Sequence, residues 1–199
     1  MNEVVLTPGL WMPGVAMRLL AARLSQRGYR VHIFDYRGRA PFDANVEALA
    51  RFARGKALFV GHSLGGVLVL EMLNRHPEIQ AQAVVLLGAP VRGCLAGRRL
   101  GGARFGRWMM GACRELWDER PARWTRPTPL GVVAGTTPLG LGRAFGRLPG
   151  SNDGVVCVDE TTVEGMAGRA LVAQGHSMLI LSAGVVDLVH RFCSSGRFE

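Results

Sequence analysis

Short apolar segments alternate with segments of helical periodicity along most of this 199-residue chain. Strands that are apolar on both faces are typical of a parallel sheet that helices cover on both sides. The apolar segments predict strands at 4–9, 29–38, 56–61, 83–90, 130–136 and 169–175. The periodicity predicts helices at 16–28, 45–54, 64–76 and 176–193. We therefore predict an α/β fold with a mostly parallel sheet of about six strands and helices on both faces.

The domain organisation follows from the absence of dividing segments. No internal repeat or low-complexity linker interrupts the sequence, so we expect a single domain over residues 1–199. A chain of this length buries a sizeable core without disulfides or metals. The segment 91–129 breaks the alternation, because it is rich in Gly, Arg and Trp and lies between two predicted strands. We interpret it as a lid-like insertion over the strand ends.

The sequence GHSLGG lies at residues 61–66, between the third predicted strand and the next predicted helix. A serine at such a turn needs a strained backbone to project its hydroxyl from the strand end, and flanking glycines avoid steric clashes. The N-terminus of the following helix favours negative charge at the turn. A strand–helix turn with an incidental serine is the alternative, but this context favours a nucleophile at Ser63.

A serine hydroxyl becomes a good nucleophile only when a base takes its proton. Among the five histidines, only His176 directly follows a predicted strand and can therefore reach the same edge of the sheet. His62 lies within the turn, where we expect its side chain to diverge from that of Ser63. We interpret His62 and the remaining histidines as surface or core residues.

Asp153 is the preferred acid partner for this histidine. It lies in a loop that follows the predicted strand at 130–136 and precedes the one at 169–175. Its role would be to hold the imidazole in one tautomer and to stabilise the imidazolium. Asp159 and Glu160 are nearby alternatives, and a purely structural role in a turn is an alternative for Asp153 itself.

Together, TPGLW, FDYRG, GHSLGG, SNDGVV and GHSMLI resemble, in this order, motifs of the α/β-hydrolase family. The similarity is greatest to small bacterial lipases and esterases, and it extends to the inositol-deacylase-like branch. It covers nearly the whole chain and implies a minimal α/β-hydrolase fold that begins at the family's third strand. By this resemblance Ser63 is the nucleophile, Asp153 the acid and His176 the base.

An oxyanion hole of two backbone N–H groups is also expected. One group belongs to Leu64, directly after the nucleophile, and the resemblance places the other at Leu10, in the loop after the first strand. The family usually has His-Gly-x in this loop, whereas this chain has Pro8, Gly9 and Leu10. The donor is a backbone group and the glycine remains, so we retain Leu10.

Large apolar side chains from two segments are candidates for a substrate pocket. Trp11 and Met12 lie beside the predicted oxyanion loop, and Trp108 and Met109 lie within the segment 91–129. Polarizable methionines and aromatic rings over the strand ends would suit an apolar acyl group. Residues at helical spacing would equally form an ordinary buried stripe, and that alternative stays open.

These features predict a carboxylic ester hydrolase that acts on small-molecule acyl esters through an acyl-enzyme. An acyl-thioesterase or acyltransferase with the same triad is one alternative, and a non-catalytic binding protein on the same scaffold is another. The sequence lacks His-Glu-x-x-His and the phosphate-binding pattern Gly-x-x-x-x-Gly-Lys. We therefore expect no metal and no cofactor.

The formal net charge is +9, and residues 92–107 contain several arginines and no acidic residue. Such a patch could contact an anionic lipid surface, although a solvated face is the simpler interpretation. No nucleic-acid-binding module accompanies it, so we expect no nucleic-acid partner. No apolar run approaches the roughly 20 residues of a membrane span, the N-terminus does not resemble a signal peptide, and the four cysteines follow no zinc pattern. We therefore predict free thiols, with a disulfide pair as the alternative that the spacing leaves open, and a cytoplasmic location.

Overall fold

Six parallel strands form a single sheet in the computed structural model, which describes residues 2–38, 40–53, 55, 57–102, 104, 116–139 and 146–199. The strands are β1 Glu3–Thr7, β2 Arg30–Ile33, β3 Ala57–His62, β4 Ala81–Leu87, β5 Leu130–Gly135 and β6 Gly168–Val172. Their order across the sheet is β2-β1-β3-β4-β5-β6, and each neighbouring pair is parallel. The predicted α/β fold with a parallel six-stranded sheet is confirmed.

Helices cover both faces of this sheet. They are α1 Arg18–Ser25, α2 Phe42–Phe52, α3 Leu64–Arg75, α4 Leu95–Gly102 and α5 Ala183–Ser195. Buried residues of α1 and α5 belong to one core cluster, and those of α2 and α3 belong to the other. Along β3, Leu58 and Val60 join the first cluster and Phe59 joins the second. This explains why the strand is apolar from Ala57 to Val60, since neither of its faces meets water.

Two predicted boundaries are wrong. The strand predicted at 29–38 ends at Ile33, after which the chain leaves the sheet and forms a loop. The helix predicted at 176–193 begins instead as a 3-10 helix, His176–Ile180, and α5 starts only at Ala183. Ser182 separates the two because it is the N-cap of α5, where its hydroxyl accepts a hydrogen bond from the N–H of Val185.

The segment 91–129 connects β4 to β5, and its described part contains α4. Its role as a lid stays a prediction. Cys94, Cys157 and Cys193 are free thiols, and burial raises the pKa of each to about 12. Cys113 lies outside the described residues. The cytoplasmic location stays a prediction.

In the part of the chain that the structure describes, no helix is both long and apolar enough to span a membrane.

Candidate active site

Ser63 occupies a sharp turn between β3 and α3. Its backbone has a φ of 53° and a ψ of −127°, a conformation that L-residues rarely adopt. Such strain costs on the order of 1–3 kcal/mol and persists only where the surroundings enforce it. Here the Ser63 N–H donates to the carbonyl of Leu87 in the adjacent strand β4, with an N···O distance of 2.9 Å. The strained turn is therefore anchored to the sheet.

Three glycines allow the backbone to approach this turn closely. A Cβ atom added to Gly61 or Gly65 would lie less than 3.0 Å from backbone atoms of the neighbouring segments. A Cβ added to Gly66 would lie 2.5 Å from the Cβ of Ala89. The first two positions match the steric requirement inferred from the sequence. Gly66 is a third such position, required by the packing of α3 against the loop after β4.

We expect the substitution Gly65→Ala to lower the free energy of unfolding by about 3 kcal/mol or more. The new methyl group would press on the carbonyl oxygens of Thr7 and Pro8, which are backbone atoms that cannot rotate away. Urea unfolding of both proteins measures the difference. Gly184→Ala is the matched control, because its added Cβ meets only the Ser182 Oγ, at 3.8 Å. The control should be unchanged or gain up to about 1 kcal/mol. Equal stabilities for the two variants would contradict this account of the turn.

Asp153 and His176 form a buried hydrogen-bonded pair. The distance from His176 Nδ1 to Asp153 Oδ2 is 2.7 Å, and the His176 backbone N–H also donates to the Asp153 carbonyl at 2.9 Å. Asp153 follows β5 and His176 follows β6, so adjacent parallel strands bring the two loops together. The contact at both side chain and backbone fixes the orientation of the imidazole ring.

The second oxygen of the Asp153 carboxylate is held by the backbone. Its Oδ1 accepts hydrogen bonds from the N–H groups of Val155 at 3.0 Å and Val156 at 2.7 Å. The side chain is only 1% exposed. Buried polar groups are tolerated where hydrogen bonds satisfy them, and both oxygens of this carboxylate have partners. The oxygen that faces His176 is therefore held in a fixed position.

The two alternative acids lie elsewhere. The Glu160 carboxylate accepts hydrogen bonds from the backbone N–H groups of Leu95 at 2.6 Å and Cys157 at 2.7 Å. It thereby joins the first residue of α4 to the 3-10 helix Val158–Thr161, and burial raises its pKa. Asp159 is exposed. Of the three acids, Asp153 is the one that contacts His176.

His62 contacts His176 and supports its position, a role that the sequence interpretation missed. The His62 Nε2 lies 3.1 Å from the carbonyl oxygen of His176, and the two ring centroids are 4.8 Å apart. Because a carbonyl only accepts hydrogen bonds, the His62 Nε2 carries the hydrogen. Burial, followed by the nearby charge of His176, lowers the pKa of His62 to about 3. His62 is therefore neutral near pH 7 and places no positive charge beside His176.

The buried neutral His62 should make the protein less stable in acid. Its pKa is about 3 when folded and 6.5 when unfolded, so between these values only the unfolded chain takes up this proton. We expect His62 to remove up to about 1.4 kcal/mol of stability per pH unit as the pH falls from 6.5 towards 3. Urea unfolding at several pH values, compared with His62→Gln, isolates this contribution. Parallel curves for the two proteins would contradict it.

A cavity of about 250 Å³ opens at Ser63 and His176. It is mostly apolar, and its lining includes the loop after β1, the helix α4 with Trp117, and the loops that contain Val155 and Met178. Trp11 and Met12 lie in its wall, and their role in binding a substrate stays a prediction. Trp108 and Met109 lie outside the described residues, so their place in the pocket stays a prediction.

The loop after β1 lies against the turn that carries Ser63. A Cβ added to Gly9 would lie 3.0 Å from the Ser63 Cβ, so a larger residue would force one of the two segments to shift. Trp11 in the same loop has a positive φ of 60°. Leu10 lines the cavity, and Leu64 directly follows Ser63 as the first residue of α3. Among the described residues, neither backbone N–H donates a hydrogen bond to a backbone carbonyl in a turn, loop or cap. Both groups are thus suited to a ligand oxygen.

The arginine-rich segment 92–107 is partly engaged within the protein. Arg98 forms an ion pair with Glu119 at 3.1 Å, and Arg99 donates to the carbonyl of Arg147 at 3.0 Å. These contacts favour a structural role for two of the arginines. Binding of an anionic lipid surface by this segment stays a prediction.

Comparison with known proteins places these features in context. A family model described as "Alpha/beta hydrolase family" matches residues 4–186. A pyrethroid hydrolase from Sphingobium wenxiniae is 29% identical over 99 residues, which are 43% of this chain and 35% of that protein. A pimeloyl-[acyl-carrier protein] methyl ester esterase from Aliivibrio fischeri is 31% identical over 97 residues, which are 45% of this chain and 37% of that protein. The aligned parts thus span little more than a third of these relatives.

Similarity in three dimensions extends further along the chain. The mature form of the lipase BlEst2 from Bacillus licheniformis superposes with a TM-score of 0.69 and 18% sequence identity. The superposition covers 90% of this chain and 86% of that one. At this identity the similarity concerns the fold, and the arrangement of Ser63, Asp153 and His176 rests on the geometry described above.

Proposed function

Because this chain belongs to the alpha/beta hydrolase family, we propose that it is a serine hydrolase that cleaves carboxylic esters through an acyl-enzyme. One observation carries the proposal: the Asp153–His176 hydrogen bond of 2.7 Å lies at the cavity into which the Ser63 turn opens. A nucleophile, a base and an acid that orients the base are the components that this chemistry requires. The names of the Sphingobium and Aliivibrio relatives, a hydrolase and an ester esterase, support the same reaction class.

In the proposed mechanism, the Ser63 hydroxyl oxygen attacks the ester carbonyl carbon while His176 Nε2 takes the hydroxyl proton. Asp153 accepts the hydrogen bond from Nδ1 and stabilises the imidazolium that forms. The N–H groups of Leu10 and Leu64 donate to the developing oxyanion. The tetrahedral intermediate then collapses, the C–O bond to the alcohol breaks, and His176 returns the proton to the leaving oxygen.

Deacylation uses the same groups with water as the nucleophile. His176 takes a proton from water, whose oxygen attacks the acyl carbonyl carbon, and the proton then passes to the Ser63 oxygen as the acid leaves. Because His62 stays neutral, no second positive charge opposes the imidazolium in either half of the reaction. The mostly apolar cavity would hold the acyl chain.

Labelling with a fluorophosphonate probe tests the nucleophile directly. We expect one adduct per chain, located on Ser63 by peptide mass spectrometry, because the probe reacts with serines that a base activates. The labelled protein should lose its activity towards p-nitrophenyl esters. A folded protein that neither reacts with the probe nor hydrolyses any ester would instead be a binding protein on a hydrolase scaffold.

Matched oxygen esters and thioesters of graded acyl length would define the substrate class. The triad acts on the carbonyl, so the leaving group distinguishes the proposed esterase from a thioesterase, and an acceptor other than water would make the protein an acyltransferase. We expect kcat/KM to rise from acetyl esters to those whose acyl chains fill the cavity, since each buried methylene contributes about 0.8 kcal/mol. Higher kcat/KM for every thioester than for its oxygen ester would favour the alternative.

A further inference from the structure

A second cavity, of about 300 Å³, lies on the other side of the loop after β1. The two cavities share Gly9, Trp11 and Met12, so this loop forms the wall between them. The far side of the second cavity is formed by Asp35, Tyr36 and Gly38, which follow β2. The cavity therefore adjoins the candidate oxyanion loop without being part of the acyl cavity.

The order of the strands determines how far this second cavity lies from Ser63. In the sheet, β2 lies next to β1, and β1 lies next to β3, which ends at Ser63. With a strand spacing of about 4.8 Å, the loop after β2 lies roughly 10 Å from the end of β3. An ester extends in two directions from its carbonyl carbon. If the acyl arm fills the first cavity, the alcohol arm can reach the second.

Aromatic side chains and a carboxylate meet in this second cavity. Trp11 is 49% exposed, and the Tyr36 ring is held in place by a hydrogen bond from its Oη to the Pro8 carbonyl at 3.1 Å. The same ring stacks on Phe34, with centroids 6.0 Å apart. Aromatic faces attract organic cations, and a carboxylate adds a direct charge–charge attraction. This combination is suited to an ammonium group.

The Asp35 carboxylate is available to such a ligand. It is exposed, and it forms none of the ion pairs found among the described residues. It lies close to Gly14, since a Cβ added to that glycine would lie 3.2 Å from the carboxylate. The net charge of +9 disfavours the approach of cations to the protein as a whole. A carboxylate that lines a cavity near Ser63 attracts cations locally instead.

We propose that this second cavity binds a positively charged leaving group, so that the preferred substrates are acyl esters of amino alcohols. The inference rests on the proposed ester hydrolysis and adds the chemistry of the alcohol. Asp35 attracts the ammonium group, Trp11 and Tyr36 contact its alkyl surface, and the released alcohol takes the proton from His176.

Two substrates of equal shape test this inference: butyrylcholine and 3,3-dimethylbutyl butyrate, in which carbon replaces the quaternary nitrogen. At low salt, the kcat/KM of the wild-type protein should be roughly 10-fold higher for the choline ester. Asp35→Asn should lower this ratio several-fold, leaving only the weaker attraction of the aromatic faces. Glu3→Gln removes the same charge at the opposite end of β1 and should leave the ratio at the wild-type value.

The salt dependence of the wild-type ratio gives a second measurement that needs no variant. Screening by about 0.5 M NaCl should reduce the ratio several-fold if a charge attraction produces it. A wild-type ratio at or below 1, or an Asp35→Asn ratio equal to that of the wild type, would overturn the inference while leaving ester hydrolysis intact. Failure to hydrolyse even the neutral ester would overturn the proposed function, and this inference with it.

Discussion

Replacing Ser63 with alanine should lower kcat/KM for ester hydrolysis by roughly 10⁴-fold or more. The substitution removes the oxygen that would form the acyl-enzyme and leaves the base without a proton to take. The strained turn should persist, because alanine has the same Cβ as serine and the anchoring hydrogen bond to Leu87 uses the backbone N–H. The free energy of unfolding should therefore stay within about 1 kcal/mol of the wild-type value.

Ser25→Ala provides the control, because this exposed serine lies at the end of α1 and away from the cavity. Its kcat/KM should equal that of the wild type, and it should keep the fluorophosphonate adduct that Ser63→Ala loses. Residual activity above about 1% in well-folded Ser63→Ala would rule out this serine as the nucleophile.

The second large effect is expected for Asp153→Asn, with a fall in kcat/KM on the order of 10⁴-fold. The hydrogen bonds decide how the new amide must orient. Two backbone N–H groups, those of Val155 and Val156, point at the position of Oδ1, so the amide oxygen must stay there. The amide NH₂ then faces His176 Nδ1 at the position of Oδ2.

This orientation places the imidazole in the wrong tautomer. A donor facing Nδ1 requires that nitrogen to accept, so the ring hydrogen resides on Nε2, which can no longer take a proton from Ser63. We expect the fold to be retained, with the loss seen in kcat rather than in KM. Asp159→Asn, on the neighbouring 3-10 helix, should stay within a few-fold of the wild type. More than a tenth of wild-type kcat/KM in Asp153→Asn would place the acid elsewhere.

The sequence was sufficient for features that depend on neighbours in the chain or on the order of strands. The turn around Ser63 is encoded by local glycines. The proximity of Asp153 and His176 follows from consecutive loops at one edge of a parallel sheet. The N-terminal boundary of α5 could not be predicted in the same way, because the apolar periodicity continues from His176 through the 3-10 helix into α5.

Contacts between distant parts of the chain were not accessible from the sequence. His62 looked like a turn residue that points away, yet it bonds to the carbonyl of a residue 114 positions later. The burial that makes this histidine neutral arises only when β3 and the segment after β6 come together. The proposed role of Asp35 was not accessible either, since it depends on the cavity that this residue forms with the loop after β1.

The strands that precede Ser63 and His176 differ in their positions in the sheet. Ser63 follows β3, inside the sheet, whereas His176 follows β6, which is an edge strand. Edge elements are commonly among the first to open in native-state fluctuations, because they have a neighbour on only one side. In the proposed mechanism, a molecule that frays at β6 would keep Ser63 in place but lose the base that activates it. The Ser63 hydroxyl would then have the low reactivity of an ordinary alcohol.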